Sequence, residues 1–373
     1  MARNGFKAMD CDMHVFEPVD MWQRYIDPEF EQRAPVGSGE TTVTLEGKDL
    51  MGVPMIDTPG ADEHRARQLR ERDAGYKIYR ERGWDATSQL MAMDREGLDA
   101  AVLFPTRALY THAVDGMDPG LADAIGRAYD DWMYDFCQTD PTRLFGVAHV
   151  SPHDMDSAVR EARRAVEELG FRGIFLRSNI ANGRNWHDPF YDRLWAECEG
   201  LGVPIVFHGA GNPPQMSEAA KVADHFESLM LQHTAYHPIP QMMNVMSFCA
   251  AGILARHPRL RVAFLEGNAS WVPWLTYRMD EKFEWIGYES PDLEMPPSEY
   301  FKRQCYVSTD ADEWTTKYME DAGFADNVVF STDYPHADAK FPRMLEIFLQ
   351  QEFSEEFKRK VLWDNCARLY GFE

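Results

Sequence analysis

In the run Asp10-Cys11-Asp12-Met13-His14, acidic and imidazole side chains recur at every second position near the end of an apolar, β-rich segment, Phe6 to Val15. Strand alternation predicts that residues 10, 12 and 14 share one face. An unpaired carboxylate is costly to bury, so a cation is the natural partner for such a face. Three further β-rich segments end in polar residues: Val206-Phe207-His208-Gly209, Phe264-Leu265-Glu266-Gly267-Asn268 and Phe330-Ser331-Thr332-Asp333-Tyr334-Pro335-His336. Oxygen and imidazole ligands without a thiolate suit Zn, Mn or Fe(II). Each run alone has a plainer reading, since His208 fits a hydrogen-bonded core histidine and Asp333 a helix cap or turn residue. Together they share a location, the carboxyl ends of predicted strands.

Eight segments have the short, apolar pattern of buried parallel strands: Phe6 to Val15, Asp99 to Pro105, Leu144 to Ser151, Phe171 to Arg177, Pro204 to His208, Leu260 to Glu266, Cys305 to Thr309 and Val328 to Asp333. Between them, Ala122 to Cys137, Met155 to Leu169, Asp188 to Leu201 and Met242 to Arg256 carry apolar residues at helical spacing. Asp118, Asp154, Asp188 and Ser354 stand where N-caps would fall. Alternating strands and helices predict a parallel sheet with right-handed crossovers, and eight strands predict a closed (β/α)8 TIM barrel. A single domain over residues 1–373 is expected. Two connections are too long for simple βα loops, residues 16–97 and 209–240. The first holds Ala34-Pro35-Val36-Gly37, Thr58-Pro59-Gly60 and the charged stretch Glu63 to Arg82. Both follow strands, so both are expected to cap the C-terminal face as lids or pocket walls, with a dimer interface as the other reading.

The chain has 61 acidic against 38 basic residues, a formal charge of −23. Such a field repels phosphate backbones and anionic membranes, so no nucleic-acid or membrane partner is expected, only a small molecule. Six scattered cysteines, with no CxxC pair, argue against a disulfide scaffold or thiolate zinc site. No stretch approaches the ~18 uninterrupted apolar residues of a membrane span, and Met1 to Asp10 has no signal-like apolar core. A cytoplasmic protein, assembled as a homodimer or higher homo-oligomer, is the expectation.

The ordered set of motifs resembles the amidohydrolase-related family, in the branch of the aminocarboxymuconate-semialdehyde decarboxylase type. The resemblance rests on Asp10-Cys11-Asp12-Met13-His14-Val15-Phe16-Glu17-Pro18, His208-Gly209, Gly252 with His257-Pro258-Arg259-Leu260, and Trp271-Val272-Pro273 with Arg278-Met279-Asp280. Ser331-Thr332-Asp333-Tyr334-Pro335-His336 and Asp364-Asn365-Cys366-Ala367-Arg368-Leu369-Tyr370-Gly371 complete it. It implies a metal-dependent (β/α)8 barrel of the hydrolase type with a long insertion after strand 1. The metal ligands it implies map onto Asp12, His14, His208 and Asp333. Many members place a His where Asp12 stands, and a carboxylate there favours Mn or Fe over Zn. Decarboxylases of the family usually carry a His after strand 6, where this chain has Glu266.

Glu266 therefore reads as a further ligand, a route to a two-metal site, a general base, or a structural carboxylate. His237, in Tyr236-His237-Pro238, is a candidate catalytic imidazole or a histidine at a helix start. His336 is placed to orient Asp333 from behind. Arg107 and Arg177 are candidate anchors for a substrate carboxylate, or salt-bridge partners. The first expectation for the reaction is hydrolysis, a metal-activated water attacking an amide, ester, thioester or activated C–C carbonyl with Asp333 taking the proton. The alternative is metal-dependent, non-oxidative decarboxylation of an aromatic or enoic acid, and the third is a non-catalytic metal-binding barrel. The metal count expected is one, or two if Glu266 bridges.

Overall fold

Ala100, Val102 and Phe104 pack in one apolar cluster and Ala101 and Leu103 in another, the period-two pattern of a strand buried on both faces. The computed structural model describes residues 5–50, 63, 75–212, 215–217 and 220–372. The strands that position the site are β1 (Met9–His14), β2 (Ala100–Phe104), β3 (Leu144–Gly146 and Ala148–His149), β4 (Ile174–Arg177), β5 (Ile205–His208), β6 (Val262–Leu265), β7 (Cys305–Thr309) and β8 (Val328–Phe330). All pair in parallel with their sequence neighbours. A break at Val147 divides β3, whose first half pairs with β2 and whose second half pairs with β4.

The ring closes between β1 and the turn after β8. His14 N donates to Tyr334 O at 2.6 Å, and Asp10 Oδ1 accepts from Thr332 N at 3.2 Å. Thr332 Oγ1 also donates to Asp10, and Asp12 N to the same carboxylate at 3.0 Å. The eight-stranded barrel expected from the sequence is the fold observed. Its inner face holds Met9, Val102, Phe175, Val206, Leu265 and Val329, and Tyr370 closes the cluster by donating to Cys11 O at 2.9 Å.

The face sharing predicted for residues 10, 12 and 14 needs correction. Met9 and Cys11 belong to the inner cluster, whereas Ala8, Met13 and Val15 belong to the outer one. The phase changes where the pairing with β2 slips, between Asp10 and Met13. Such an irregularity re-aims the side chains that follow it, so Asp12 and His14 turn inward while Asp10 is left to the seam. Removing Asp10 leaves three donors unpaired, so Asp10→Ala is expected to lower unfolding free energy by about 2–4 kcal/mol. Urea denaturation measures it, and a loss below about 1 kcal/mol would show that the seam does not depend on this carboxylate.

All four expected caps form: Asp118, Asp154, Asp188 and Ser354 each accept from a backbone N–H in the first turn that follows. The crossover helices are α1 (Ala86–Glu96), α2 (Pro119–Cys137), α3 (Met155–Glu167), α4 (Asp192–Leu201), α5 (Pro238–Val245) and α6 (Val272–Ile286). The helix expected over 242–256 instead begins at Pro238, passes through a π-helical turn at Met246–Ala250 and resumes at Ile253–Arg256. Segment 16–97 is only partly an insertion, because α1 is the crossover from β1 to β2. Its earlier part holds a helix at Met21–Tyr25 and an antiparallel sheet of Val36–Ser38, Thr42–Leu45 and Lys48–Asp49. Thr58-Pro59-Gly60, and the charged stretch between Glu63 and residue 75, lie outside the described residues. No described helix is long and apolar enough to cross a membrane.

Candidate metal centre

Two imidazoles face each other at the carboxyl ends of β1 and β5. His14 Nδ1 donates to Pro105 O and His208 Nδ1 to Gly209 O, both at 2.6 Å. Those carbonyls fix each tautomer, so both Nε2 atoms present bare lone pairs. The two Nε2 atoms are 2.9 Å apart. Burial holds both rings neutral, His208 pushed down to about 3 and His14 well below its ordinary value. Lone pair against lone pair at that distance is repulsive unless positive charge lies beside both.

Three carboxylates surround the pair. Asp12 Oδ1 lies 3.7 Å from His14 Nε2 and 3.3 Å from His208 Nε2. Asp333 Oδ1 is 3.4 Å from His14 Nε2, and Glu266 Oε2 is 3.3 Å from His208 Nε2. Ligands at 2.0–2.2 Å from one ion are separated by roughly 3.0–3.5 Å along the edges of an octahedron or tetrahedron. Asp12 is fully buried and neither of its oxygens accepts a hydrogen bond. A buried, unpartnered carboxylate aimed at two bare imidazole nitrogens is the donor set of a divalent cation. The groups among the described residues that could hold an ion overlap on these side chains: Asp12, His14 and His208; His14, Asp333 and His336; His208, Glu266 and Asp333.

The backbone is specialised where two of these carboxylates leave the strands. Asp333 (φ 54°) and Glu266 (φ 49°) are left-handed without being glycine, a conformation that persists where surrounding contacts over-determine it. Glu266 N is held by Ser308 Oγ at 2.9 Å. Asp333 Oδ1 accepts from His336 Nδ1 at 2.7 Å, and His336 Nε2 lies 3.1 Å from Thr106 Oγ1. His336 thus sets the angle of the carboxylate it follows.

His237, the residue before α5, reaches the same centre. Its Nδ1 lies 2.9 Å from Glu266 Oε2, out of line for a hydrogen bond. Gly209 makes room for it, since a Cβ there would stand 2.7 Å from His237 Nδ1. Gln241 Nε2 donates to Phe207 O at 3.1 Å and Leu265 O at 2.6 Å, tying α5 to the ends of β5 and β6.

The two arginines are differently placed. Both Nη atoms of Arg107 donate to backbone carbonyls, those of Glu17 and Gly39, which pins the antiparallel sheet to the barrel. The Glu17 carboxylate in turn accepts from the N–H groups of Thr106, Arg107 and Ala108. Arg177 Nη1 donates to Leu109 O at 3.0 Å and Nη2 to Ala210 O at 2.8 Å. Only Nε of each guanidinium lacks a protein partner. Thr106, Ser308, Gln241 and Glu17 were not singled out from sequence. The available signal was position, for Thr106 and Ser308 sit at strand ends and Glu17 lies within the first motif, just before Pro18.

Burial and mutual repulsion raise Asp12 and Glu266 well above ordinary carboxyl values, and burial first of all raises Asp333. The imidazoles are already neutral. Cation binding must therefore displace protons from carboxyl groups, and affinity is expected to fall as pH is lowered through that raised range. Calorimetric titration with Mn²⁺ in buffers of different ionisation enthalpy should show proton release that grows as pH is lowered. Binding with no proton release would mean that the carboxylates are already ionised.

The amidohydrolase family matches this chain over residues 9–372. The chain belongs to the amidohydrolase family. Among curated relatives of this amidohydrolase, a 2-amino-3-carboxymuconate-6-semialdehyde decarboxylase of Dictyostelium discoideum is 25% identical over 295 residues, covering 78% of this chain and 77% of the relative. A gamma-resorcylate decarboxylase of Rhizobium sp. is 27% identical over 309 residues, covering 77% and 87%. Among solved structures, an amidohydrolase from Mycobacterium avium subsp. paratuberculosis superimposes with a TM-score of 0.74 at 19% identity, covering 99% of each chain. A 5-carboxyvanillate decarboxylase from Novosphingobium aromaticivorans, complexed with manganese and 4-hydroxy-3-methoxy-5-nitrobenzoic acid, gives 0.66 at 20% identity, covering 99% of this chain and 97% of that one. At these identities the structures speak for the fold, which is the barrel of the amidohydrolase superfamily.

Proposed function

We propose that this amidohydrolase is a metal-dependent, non-oxidative decarboxylase of an aromatic or enoic acid that carries an oxygen substituent beside its carboxylate. The observation that carries the reading is His237 beside Glu266. From sequence, the lack of a histidine after strand 6 weighed against decarboxylation and for hydrolysis. In the folded chain an imidazole from the start of α5 stands 2.9 Å from the carboxylate occupying that position. The names of the relatives, decarboxylases matched over three-quarters of this chain, support the same choice.

Asp12, His14, His208 and Asp333 would hold the metal, with Glu266 beside it. When bound, a divalent ion supplies Lewis-acid polarisation of the substrate carboxylate and its neighbouring oxygen. The C–C bond to the carboxylate breaks, CO2 leaves, and the electron pair remaining on carbon takes a proton. Glu266, with His237 beside it, would supply that proton and regain one from solvent. The antiparallel sheet between residues 36 and 49 and the described part of 209–240 would wall the mouth and keep bulk water from the reacting carbon. Arg177, fixed by the backbone carbonyls of Leu109, Ala210 and Gly211, would direct its remaining Nε–H at a substrate oxygen.

Protein purified without chelator, with its metal content measured, should release CO2 from members of an ortho-hydroxylated aromatic acid panel. Reaction in D2O should place one deuterium on the carbon that lost the carboxylate. No CO2 from any acid, with thiol, alcohol or amine released from thioesters, esters or amides, would return the reaction to hydrolysis. His237→Asn is expected to lower kcat by roughly 10²–10⁴-fold while metal content stays at the wild-type level. Loss of metal in that variant would make His237 a ligand instead of a proton carrier.

A further inference from the structure

A cavity lies beside the metal centre, over the carboxyl ends of β3 and β4. Its walls come from the 3₁₀ turn Ala108–Ala113 after β2, from those two strand ends and from residues 179–181, and Met216 roofs it. The wall nearest the metal is Arg177, the register partner of His208 on the neighbouring strand. Four buried side chains on the wall each carry a polar atom with no hydrogen-bond partner among the described residues: His112 Nδ1, His149 Nδ1, Arg177 Nε and Asn179 Oδ1. None of the four residues is more than 7% exposed. Buried polar atoms are nearly always paired, so four unpaired ones around one cavity point to a partner from outside the chain.

What that partner must offer follows from the bonds these side chains already make. Asn179 Nδ2 donates to Ala220 O at 2.8 Å and to Asn212 Oδ1 at 3.3 Å, which fixes the amide and leaves Oδ1 a bare acceptor. His112 Nε2 donates to Ala122 O at 2.8 Å, so Nδ1 of the neutral ring is a second acceptor. Burial keeps both imidazoles neutral, with His112 pushed down to about 3 and His149 well below its ordinary value. Arg177 adds one donor, Nε–H, because its Nη atoms are spent on the carbonyls of Leu109, Ala210 and Gly211. A hydroxyl both donates and accepts, and so matches this set. A carboxylate only accepts: it would gain one N–H, face two lone pairs and lose its hydration.

We propose that this cavity seats a second hydroxyl of the substrate, remote from the carboxylate held at the metal, with Asn179 Oδ1 accepting from it and Arg177 Nε–H donating to it. On the decarboxylase reading of the metal centre, on which this subsite rests, the substrate is a monocarboxylic aromatic acid with two oxygen substituents, and ring dicarboxylates are rejected. Leu109 and Met216 give the hydroxyl an apolar surround, which sharpens selection because an analogue without the group leaves buried polar atoms unpaired. Asn179 is thus a specificity-determining residue supplied by the segment that follows β4.

Calorimetric binding to the Mn²⁺-loaded protein tests this without requiring turnover. Salicylate is compared with the dihydroxybenzoates that retain its hydroxyl and with a salicylate bearing a second ring carboxylate. At least one dihydroxybenzoate should bind roughly 10-fold or more tighter than salicylate, and the dicarboxylate more weakly than salicylate. Asn179→Leu removes the acceptor, and Met216→Phe fills the cavity from its roof while keeping the tie between Asn179 and Ala220. Each should bring the ratio of the two Kd values to within about threefold of one, and Met216→Phe carries the test if Asn179→Leu does not fold. No binding of any acid, equal Kd values across the wild-type panel, a preference that survives both changes, or tighter binding of the dicarboxylate would overturn the proposal and leave the cavity to water. Preference for a dihydroxybenzoate with no CO2 released from any acid would sink the decarboxylase reading alone. CO2 release without the preference would sink the subsite alone.

Discussion

Asp333→Asn is expected to fold as the wild type does and to lose turnover by roughly 10²–10⁴-fold. Asparagine is among the few residues that tolerate the left-handed backbone found at position 333 (φ 54°), so the turn after β8 survives. What changes is the charge at Oδ1, which lies 3.4 Å from His14 Nε2 and accepts from His336 Nδ1 at 2.7 Å. An amide keeps one acceptor but removes the anion that offsets the cation. It can also present N–H where His336 already donates, leaving two donors opposed. Metal content, thermal unfolding and kcat measured together separate the possibilities. A variant with wild-type melting, full metal and full rate would remove Asp333 from the machinery.

The second large effect concerns Glu266, whose Oε2 stands 3.3 Å from His208 Nε2 and 2.9 Å from His237 Nδ1. Glu266→Gln is expected to lower turnover by roughly 10²–10⁴-fold, since glutamine matches the shape but neither carries nor gives up the proton. Metal content tells which role dominates. Retention places Glu266 in proton delivery with His237, and loss places it among the ligands. Glu266→His places an imidazole at this position and should recover part of the CO2 release lost in the glutamine variant. Full metal occupancy and full rate in Glu266→Gln would make the carboxylate structural, and only the backbone N–H of residue 266, bonded to Ser308 Oγ, would matter there.

Eight strands, their parallel order and four helix caps were legible in the sequence because each depends on local pattern. Apolar runs of strand length, helical periodicity and capping residues report elements that neighbours in the chain decide. The family was legible for a related reason, since its motifs cluster at strand ends and survive as short contiguous strings. The inward turn of Asp12 and His14 was not derivable from alternation. It depends on a slip in pairing between β1 and β2, which involves residues some ninety positions apart. Asp10, read on the same face as Asp12 and His14, went to the barrel seam because Thr332, 322 positions away, offers it both N–H and O–H.

Sequence by itself determined the element types, the barrel and the chemical identity of the groups at its mouth, since these follow from residue type and near-neighbour spacing. Only the tertiary structure decided which of those groups meet. Closing the ring sets β1 beside β8, which puts Nε2 of His14 within 3.4 Å of Asp333 and 2.9 Å of His208, and turns two ordinary histidine tautomers into a pair that needs a cation. It also carried His237 from the start of α5 to Glu266 through the space left by Gly209, a contact between residues whose side chains no periodicity relates. Arg107, read as a substrate anchor or an ion-pair partner, instead faces the carbonyls of Glu17 and Gly39, because the backbone of the antiparallel sheet arrives there first. Local pattern fixes what a residue can do, and long-range closure fixes what it touches.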